Sequence, residues 1–232
     1  MIYAAIVAGG SGSRMGADNP KQFLELDGKP IIIRTIERFV KCGKINKIYV
    51  GVHADWLDFA QGLIDEFSTE ADVEIVKGGK DRTETIYNIL EKIESENEIS
   101  ADDIVVTHDG VRPFVSVKEI EDSILMLKSF DGVTLCLPST DTLLCSPDGI
   151  KIASVPDRSQ LFRAITPQTF KLKALLSAYR SLDEKQKSSL TDTASIFTSA
   201  GLEVGLVQGS ERNIKITMPF DMKTAELLLK EK

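Results

Sequence analysis

Short apolar runs alternate with longer segments of helical spacing along the first half of the chain. The runs are rich in β-branched residues and lie at 2–7, 48–52, 73–76 and 104–107. Apart from Glu74 and Thr107 the runs are apolar, which is typical of strands whose two faces are both buried. The pattern therefore predicts buried, mostly parallel strands.

The segments between these runs have the period of an amphipathic helix. One face of such a helix carries Ile86, Ile89, Leu90 and Ile93, at i, i+3, i+4 and i+7, and the helix begins near Asp81. A second helix has helical spacing at Val117, Ile120, Ile124 and Leu127, which lie at i, i+3, i+7 and i+10. Alternating strands and helices predict a sheet that is covered by helices on both faces.

The pattern changes in the second half of the chain. Residues 133–155 have the pattern of strand, turn and strand without a helix between them, and the turn is the SPDG sequence at 146–149. Such an insertion is either a surface ornament or an arm that reaches a partner. Further on, short strands are predicted at 202–207 and 214–217, and Pro219 opens a last helix.

Size and composition agree with a single domain. The chain has 232 residues, of which 42% are hydrophobic and 27% charged, as in globular proteins with one sizeable core. No repeat, low-complexity tract or linker divides it. We expect one α/β domain over residues 1–232, a Rossmann-like three-layer sandwich with a mostly parallel mixed sheet and a protruding β-arm at about 133–155.

The charge balance narrows the range of partners. There are 28 Lys and Arg residues against 35 Asp and Glu, so the net charge is −7. A broad nucleic-acid surface is therefore not expected, although a local basic site remains open. Three cysteines without a CxxC motif favour a reducing compartment. Without a run of membrane-spanning length or a basic leader, we expect a cytoplasmic protein that is not inserted in a membrane.

The first predicted strand leads into a glycine-rich loop at 8–16. Ligands of α/β sheets bind at the carboxyl ends of strands, and glycines let the backbone approach phosphates closely. The P-loop pattern GxxxxGK[ST] is absent. The dinucleotide pattern GxGxxG is also absent, because Met15 stands three residues after Gly12, where the last glycine would be. A P-loop NTPase and a dinucleotide oxidoreductase are thus not supported. Arg14 and Lys21 are cations suited to a polyphosphate, and the alternative is a tight turn with solvated cations.

Two further clusters follow predicted strands. Asp109 comes directly after the strand at 104–107 and could hold Mg²⁺ carried by phosphates, while Arg112 offers a fork for a phosphate. The alternative is an Asp–Arg ion pair that fixes a loop. Gly78 and Gly79 lie at another junction between a strand and a helix.

Taken in order, these segments and several later ones resemble the cytidylyltransferases that activate sugar-alcohol phosphates. The matching segments are 8–15 with 20–22, 78–82, 108–114, 141–142, 157–158, 166–170, 191–195 and 213–215. One branch of this family acts on ribitol 5-phosphate and another on 2-C-methylerythritol 4-phosphate in isoprenoid synthesis. Residues 1–4, 51–56 and 106–112 look more like the ribitol branch, which we expect, with the methylerythritol branch as the alternative.

The resemblance implies a reaction with CTP and a small polyol phosphate as substrates and Mg²⁺ as cofactor. A phosphate oxygen of the polyol phosphate attacks the α-phosphorus of CTP and expels pyrophosphate. The second pKa of a phosphate monoester is roughly 6, so the nucleophile is largely a dianion at neutral pH and needs no general base. Catalysis then consists of positioning and charge stabilisation. A non-catalytic nucleotide-binding module would need neither Lys21 nor Lys215.

The resemblance also implies roles for individual residues. Catalytic roles fall to Arg14, Lys21, Arg158 and Lys215. Nucleotide binding falls to Val7, Ala8, Gly9, Gly10, Gly79, Arg82, Thr85 and Asp109. Binding of the polyol phosphate falls to Arg112, Thr142, Arg158, Thr166, Thr191 and Lys215. Asp109 would hold Mg²⁺, mainly through the phosphates of CTP.

The same resemblance implies a homodimer and shows two departures. Thr142 and Arg158 belong to the arm region, which in the family crosses to a second subunit and completes its site. Lys80 stands where one branch carries an acid that contacts the nucleotide, so that contact is not expected here. Gly110 stands where the methylerythritol branch usually has Ala.

Overall fold

The structure is a computed structural model that describes residues 1–10, 19–67, 71–190 and 192–231. Its strands are β1 (Ile2–Ala8), β2 (Glu25–Leu26), β3 (Lys29–Pro30), β4 (Lys47–Val52), β5 (Val73–Lys77), β6 (Ile104–Asp109), β7 (Gly132–Pro138), β8 (Phe162–Lys171) and β9 (Val204–Gln208). Its helices are α1 (Ile31–Cys42), α2 (Leu57–Glu66), α3 (Arg82–Glu96), α4 (Val117–Met126), α5 (Leu172–Ser181), α6 (Glu184–Ser189), α7 (Ala194–Ser199) and α8 (Pro219–Lys230).

The central sheet has the strand order β5-β4-β1-β6-β8-β7-β9. Strand β8 runs antiparallel to both of its neighbours, and the other pairings are parallel. One apolar core lies between the sheet and helices α3, α5 and α7, and a second lies between the other face and helices α1, α2 and α4. The predicted three-layer α/β sandwich with a mostly parallel mixed sheet is confirmed.

Helix starts follow the local sequence signals. The Asp81 carboxylate accepts a hydrogen bond from the Glu84 backbone N–H at 2.9 Å, so α3 begins where the spacing predicts. Helix α4 begins with a capping box in which Ser116 and Glu119 each bind the other's backbone N–H. Pro219 occupies the first turn of α8, as predicted.

The arm predicted at about 133–155 is wrong at both ends, and its second predicted strand does not form beyond a bridge at Ser154. Residues 133–137 are buried and belong to β7, which pairs with β8 on one side and β9 on the other. The excursion from the sheet covers residues 139–161, hereafter the arm, and a bridge between Cys145 and Ser154 joins its two sides. The Ser139 N–H donates to the Leu161 carbonyl at 2.9 Å, so both ends of the arm lie side by side at the sheet.

Two other strand predictions need correction. Residues 214–217 do not form a strand. Among the described residues, their long-range backbone hydrogen bond runs from Ile216 N–H to the Val111 carbonyl at 3.0 Å, and the buried Ile216 side chain packs with Val111. Strand β8 was not predicted, although it lies inside the sheet between β6 and β7. The strand expected at 202–207 is Val204–Gln208.

The cysteines and the helices of the described residues bear on two further expectations. Cys42 and Cys136 are buried free thiols, and Cys145 is an exposed one. None of the described helices is long and apolar enough to cross a lipid bilayer.

Candidate active site

A cleft of about 1010 Å³ lies at the carboxyl ends of β1, β4, β5 and β6. These strands are parallel, so the loops that follow them meet at one edge of the sheet. The described lining residues are Val7, Ala8, Gly9, Gly10, Lys21, Gln22, His53, Ala54, Lys77, Gly78, Gly79, Lys80, Asp81, Arg82, Glu84, Thr85, Asn88, Asp109, Val111 and Lys215. They include five cationic side chains and three carboxylates.

Most of the residues with an implied role meet in this cleft. They are Val7, Ala8, Gly9, Gly10, Lys21, Gly79, Arg82, Thr85, Asp109 and Lys215. Arg14 and Thr191 lie outside the described residues. Arg112 and Thr166 are buried behind the cleft, and Thr142 and Arg158 are exposed on the arm.

Asp109 is the centre of the charge distribution. The Arg82 Nε donates to its Oδ1 at 3.0 Å, and the Arg112 Nε donates to its Oδ2 at 3.1 Å. The Lys215 Nζ lies 3.1 Å from the same Oδ2. Helix α3, the loop after β6 and the segment before α8 each supply one of these cations, so the cluster forms only when the chain is folded.

The cations keep this buried carboxylate ionised. Burial alone would raise the pKa of Asp109, but the charges of Arg82, Lys215 and Arg112 together hold it well below its usual range. One carboxylate then faces three cations, so the cluster has a net positive charge. Such an edge of the sheet is suited to the phosphates of a ligand.

Arg112 is tied to protein groups rather than to the cleft. Its side chain is 10% exposed, and its Nη1 donates to the backbone carbonyl of Asn213 at 2.8 Å while its Nε binds Asp109. In this arrangement Arg112 positions Asp109 and the segment that carries Lys215. Its implied contact with a polyol phosphate stays a prediction.

Thr166 and His108 fix the backbone of the same loop. The Asp109 N–H donates to Thr166 Oγ1 at 3.1 Å, and Thr166 Oγ1 lies 3.0 Å from His108 Nδ1. The His108 Nε2 lies 3.2 Å from the Arg112 carbonyl oxygen, which can only accept, so we assign the proton to Nε2. Burial lowers the pKa of His108 to about 3, so the ring is neutral and its Nδ1 accepts from the Thr166 hydroxyl.

The glycine turn after β5 is shaped by Thr85. The Gly78 N–H donates to the Val52 carbonyl at 2.7 Å, and the Gly79 N–H donates to Thr85 Oγ1 at 3.0 Å. The Thr85 hydroxyl in turn donates to the Asp81 carbonyl at 2.7 Å. Thr85 thus holds the turn that lines the cleft, and its implied contact with the nucleoside stays a prediction.

Sequence reasoning gave no role to two buried residues of the site. Gln22 donates to the carbonyls of Ala8 and Gly10, and Thr193 Oγ1 accepts from Arg82 Nη1 at 2.9 Å. Both lie inside motifs that carry the family resemblance. Their position in these motifs was therefore the signal that the sequence offered for a role in the site. The contacts had no local signal, because they join residues that are 12, 14 and 111 positions apart.

The donor set suits a cation that arrives with its ligand. Within residues 1–10, 19–67, 71–190 and 192–231, no three His, Cys, Asp or Glu side chains form a metal-binding group. The Asp109 carboxylate has about four lone-pair positions, accepts hydrogen bonds from Arg82 and Arg112 and forms an ion pair with Lys215, which leaves room for a further bond. This fits a Mg²⁺ ion whose other ligands are phosphate oxygens and water.

The family model described as 2-C-methyl-D-erythritol 4-phosphate cytidylyltransferase (IspD) matches residues 2–231. Two proteins named ribitol-5-phosphate cytidylyltransferase, from Streptococcus pneumoniae serotype 2 (strain D39 / NCTC 7466) and strain ATCC 700669 / Spain 23F-1, are each 43% identical to this chain over 234 residues. Each alignment covers 100% of both chains.

Solved structures agree over the whole fold. The 4-diphosphocytidyl-2C-methyl-D-erythritol synthase of Anaerococcus prevotii DSM 20548 has a TM-score of 0.83 at 26% identity, with 100% of this chain and 99% of that chain covered. The 2-C-methyl-D-erythritol 4-phosphate cytidylyltransferase of Francisella tularensis has a TM-score of 0.82 at 28% identity, with 97% and 98% covered.

An α/β sheet with a cationic, glycine-lined cleft at its strand ends is the architecture of a nucleotidyltransferase, and the full-length relatives are enzymes of that class. More narrowly, the chain belongs to the 2-C-methyl-D-erythritol 4-phosphate cytidylyltransferase family. The predicted family and enzyme class are confirmed, and these relatives favour catalysis over a non-catalytic binding module.

Proposed function

We propose that this chain transfers the cytidylyl group of CTP to D-ribitol 5-phosphate, giving CDP-ribitol and pyrophosphate. The observation that carries the polyol assignment is 43% identity over the full chain to enzymes named for ribitol 5-phosphate. The cationic cleft supports the phosphate chemistry. The methylerythritol reaction is the second candidate, because the family model and the solved neighbours have that name.

The reaction needs charge stabilisation more than proton transfer. A phosphate oxygen of the polyol phosphate forms a bond to the α-phosphorus of CTP, and the bond from that phosphorus to the bridging oxygen of the β-phosphate breaks. The nucleophile is a dianion above its second pKa of roughly 6, so no side chain has to remove a proton. Lys21, Arg82 and Lys215 in the cleft would hold the phosphates while negative charge accumulates.

We propose Mg²⁺ as the cofactor, held by Asp109 and mainly by the phosphates of CTP. When bound, the ion would neutralise charge on the triphosphate and the leaving pyrophosphate. The three cations around Asp109 keep its carboxylate ionised and so able to act as a ligand.

The close packing at Gly110 is one local difference from the pattern of the methylerythritol branch. A Cβ at this position would lie 2.7 Å from Ile32 Cδ1 and 3.1 Å from the Val7 carbonyl oxygen. An alanine, which is usual here in the methylerythritol branch, therefore does not fit without a shift.

A head-to-head assay of pyrophosphate release tests the proposal. With CTP and Mg²⁺, we expect kcat/KM for D-ribitol 5-phosphate to exceed that for 2-C-methylerythritol 4-phosphate by at least about tenfold, the effect of 1.4 kcal/mol in the transition state. The opposite ranking would place the chain in the other branch. No release of pyrophosphate with either substrate would favour a non-catalytic nucleotide-binding module instead.

We also propose a homodimer formed through the arm. Exposed apolar side chains lie along it, with Ile150 85%, Ile152 61% and Val155 57% exposed. Thr142 and Arg158, whose implied roles are in polyol binding, lie on the same excursion and not in the cleft of their own chain. Covering this apolar surface with a second copy would bring them to that copy's site.

A further inference from the structure

One buried side chain connects the two parts of the cleft that the reaction needs. Gln22 is 2% exposed and lies in a short 3-10 turn, Lys21–Phe23. Its Nε2 donates to the Ala8 carbonyl at 2.6 Å and to the Gly10 carbonyl at 3.0 Å. The turn that carries Lys21 is thus attached to the loop that follows β1.

Both donors of the Gln22 amide are used by these two carbonyls. A primary amide has two N–H bonds, so this group has no donor left for a nucleotide. Gln22 therefore acts through the protein groups that it binds, although its side chain borders the cleft.

The other side of the turn is fixed by packing. Backbone bonds run from Phe23 N–H to the Pro20 carbonyl at 2.9 Å and from Leu24 N–H to the Lys21 carbonyl at 3.2 Å. The Phe23 ring is buried, and its centroid lies 5.5 Å from that of Trp56. The backbone of Lys21 is consequently held between an aromatic cluster and the amide of Gln22.

The same amide sets the direction of a backbone donor. Because the Ala8–Gly9 peptide is trans, the Gly9 N–H points away from the Ala8 carbonyl and therefore away from Gln22. Without the amide, the Ala8 and Gly10 carbonyls would lose this donor. The position of Lys21 would then no longer be tied to that of residues 8–10 by Gln22.

We propose that Gln22 is a positioning residue that holds Lys21 in register with the backbone of residues 8–10, so that the ammonium group and the bound triphosphate meet in the transition state. This inference rests on the proposed cytidylyl transfer, in which Lys21 stabilises accumulating charge. The competing explanation is that Gln22 only stabilises the fold.

A double-mutant cycle separates the two explanations. Gln22→Met keeps the length of the side chain but leaves both carbonyls without a donor, and Lys21→Met removes the charge. We expect Gln22→Met to lower kcat at least tenfold when Lys21 is present and less than threefold in the Lys21→Met background. Gln22→Met should bind CTP with a Kd within threefold of that of the wild type, measured by the emission of Trp56, the single tryptophan of the chain. Because Trp56 packs against Phe23, the same emission reports whether the turn keeps its packing.

Two further variants keep the test decisive. Gln22→Glu has the size of Gln22 but no N–H donor, so it should show the same loss of kcat. It replaces Gln22→Met in the test if that variant folds poorly. Ser123→Ala is the matched control. It removes a buried hydrogen bond of 2.7 Å between Ser123 Oγ and Thr169 Oγ1, and neither residue is part of the described lining of the cleft. It should lower the melting temperature and leave kcat within twofold of wild type.

The outcomes distinguish the inference from the proposed function. Equal losses of kcat in both backgrounds, or an unchanged kcat in Gln22→Met and Gln22→Glu, would overturn the positioning role. Wild-type turnover in Lys21→Met would overturn the role of Lys21 itself, and the inference with it. A wild-type chain that binds CTP by Trp56 fluorescence but releases no pyrophosphate with any polyol phosphate would refute the proposed function instead.

Discussion

At the scale of single residues, the cleft is organised around one buried carboxylate and three cations. Asp109 binds Arg82, Arg112 and Lys215, and its backbone N–H is held by Thr166. Removing the Asp109 carboxylate would leave the buried Arg112 guanidinium without its anionic partner, and loss of one partner of a buried pair typically costs about 3–5 kcal/mol. The site is therefore a stabilising element as well as a chemical one.

His108 gives this cluster a measurable pH dependence. Its folded-state pKa is lowered to about 3 by burial, whereas an unfolded histidine has a pKa of about 6.5. Below pH ~6.5 the unfolded state therefore binds a proton that the folded state excludes, and stability falls as the pH falls. We expect a loss of about 2 kcal/mol in the free energy of unfolding between pH 7 and 5.

Denaturant unfolding of His108→Asn checks this expectation. The variant should be less stable at pH 7 and should lack most of the slope between pH 7 and 5. His53→Asn is the control, since that side chain is exposed, and its slope should match that of wild type. A wild-type slope in His108→Asn would show that another group titrates.

Sequence reasoning located the residues of this site but not all of their contacts. The structure brings Asp109, Arg82 and Lys215 together in the cleft, and their implied roles stay predictions. The inward position of Arg112 depends on the Asn213 carbonyl, and the two residues are 101 positions apart. A contact over that separation has no local signal in one sequence.

At the scale of elements, the arm is built to be separable from the sheet. It leaves at Pro138 and returns at Phe162, which are paired in the β7–β8 ladder. A chain that folds without it should have no arm-mediated dimer and no partner Thr142 or Arg158 at its site.

Excision of 140–160, closed by an Asn-Gly turn, tests this role. We expect a melting temperature within a few degrees of wild type, because the removed residues lie outside the described cores. Sedimentation should show a monomer, and KM for the polyol phosphate should rise at least tenfold with the Kd for CTP nearly unchanged. A stable dimer after excision would contradict the proposed interface.

A second element-scale prediction concerns the packing of β6 against β1 and α1. Gly110→Ala should lower the free energy of unfolding by about 1–3 kcal/mol, the usual cost of overpacking, because Ile32 Cδ1 and the Val7 carbonyl occupy the space. Ile32→Val in the same chain should recover part of that loss. Thermal and urea unfolding of the single and double variants measures this free energy. If the losses from Gly110→Ala and Ile32→Val simply add in the double variant, the steric explanation is contradicted.

The errors in the predicted elements have a common physical cause. Residues 133–137 were assigned to a surface hairpin because their apolar run is followed by turn residues, and only pairing with β8 and β9 identifies them as sheet core. Strand β8 contains Thr166, Gln168 and Thr169, polar residues whose hydrogen bonds are met by other elements. Pairing between distant segments decided both cases, whereas local spacing sufficed for α3, α4 and α8.

At the scale of the whole molecule, an acidic protein presents a basic cleft. The net charge is −7, yet the described lining of the cleft contains more cations than carboxylates. Such a contrast concentrates anionic ligands at the cleft and becomes weaker as salt screens it. Lys80 at the glycine turn belongs to this lining.

The salt dependence of turnover tests this contrast. Lys80→Glu should lower kcat/KM for CTP several-fold at low ionic strength and less in high salt, with kcat little changed. Lys128→Glu makes the same change in net charge at an exposed residue of the turn that follows α4, outside the described lining of the cleft, and should have almost no effect. Equal effects of both substitutions would attribute the result to net charge alone.

The central claim is that fixed positive groups join two anions without a side chain that removes a proton. The pH profile of kcat/KM should then follow the second ionisation of the polyol phosphate, near pH 6. With the phosphonate analogue of ribitol 5-phosphate, whose second pKa is higher, the profile should shift to higher pH by the same interval. A profile that stays in place when the substrate pKa changes would show that a group on the protein is the base and would contradict the account.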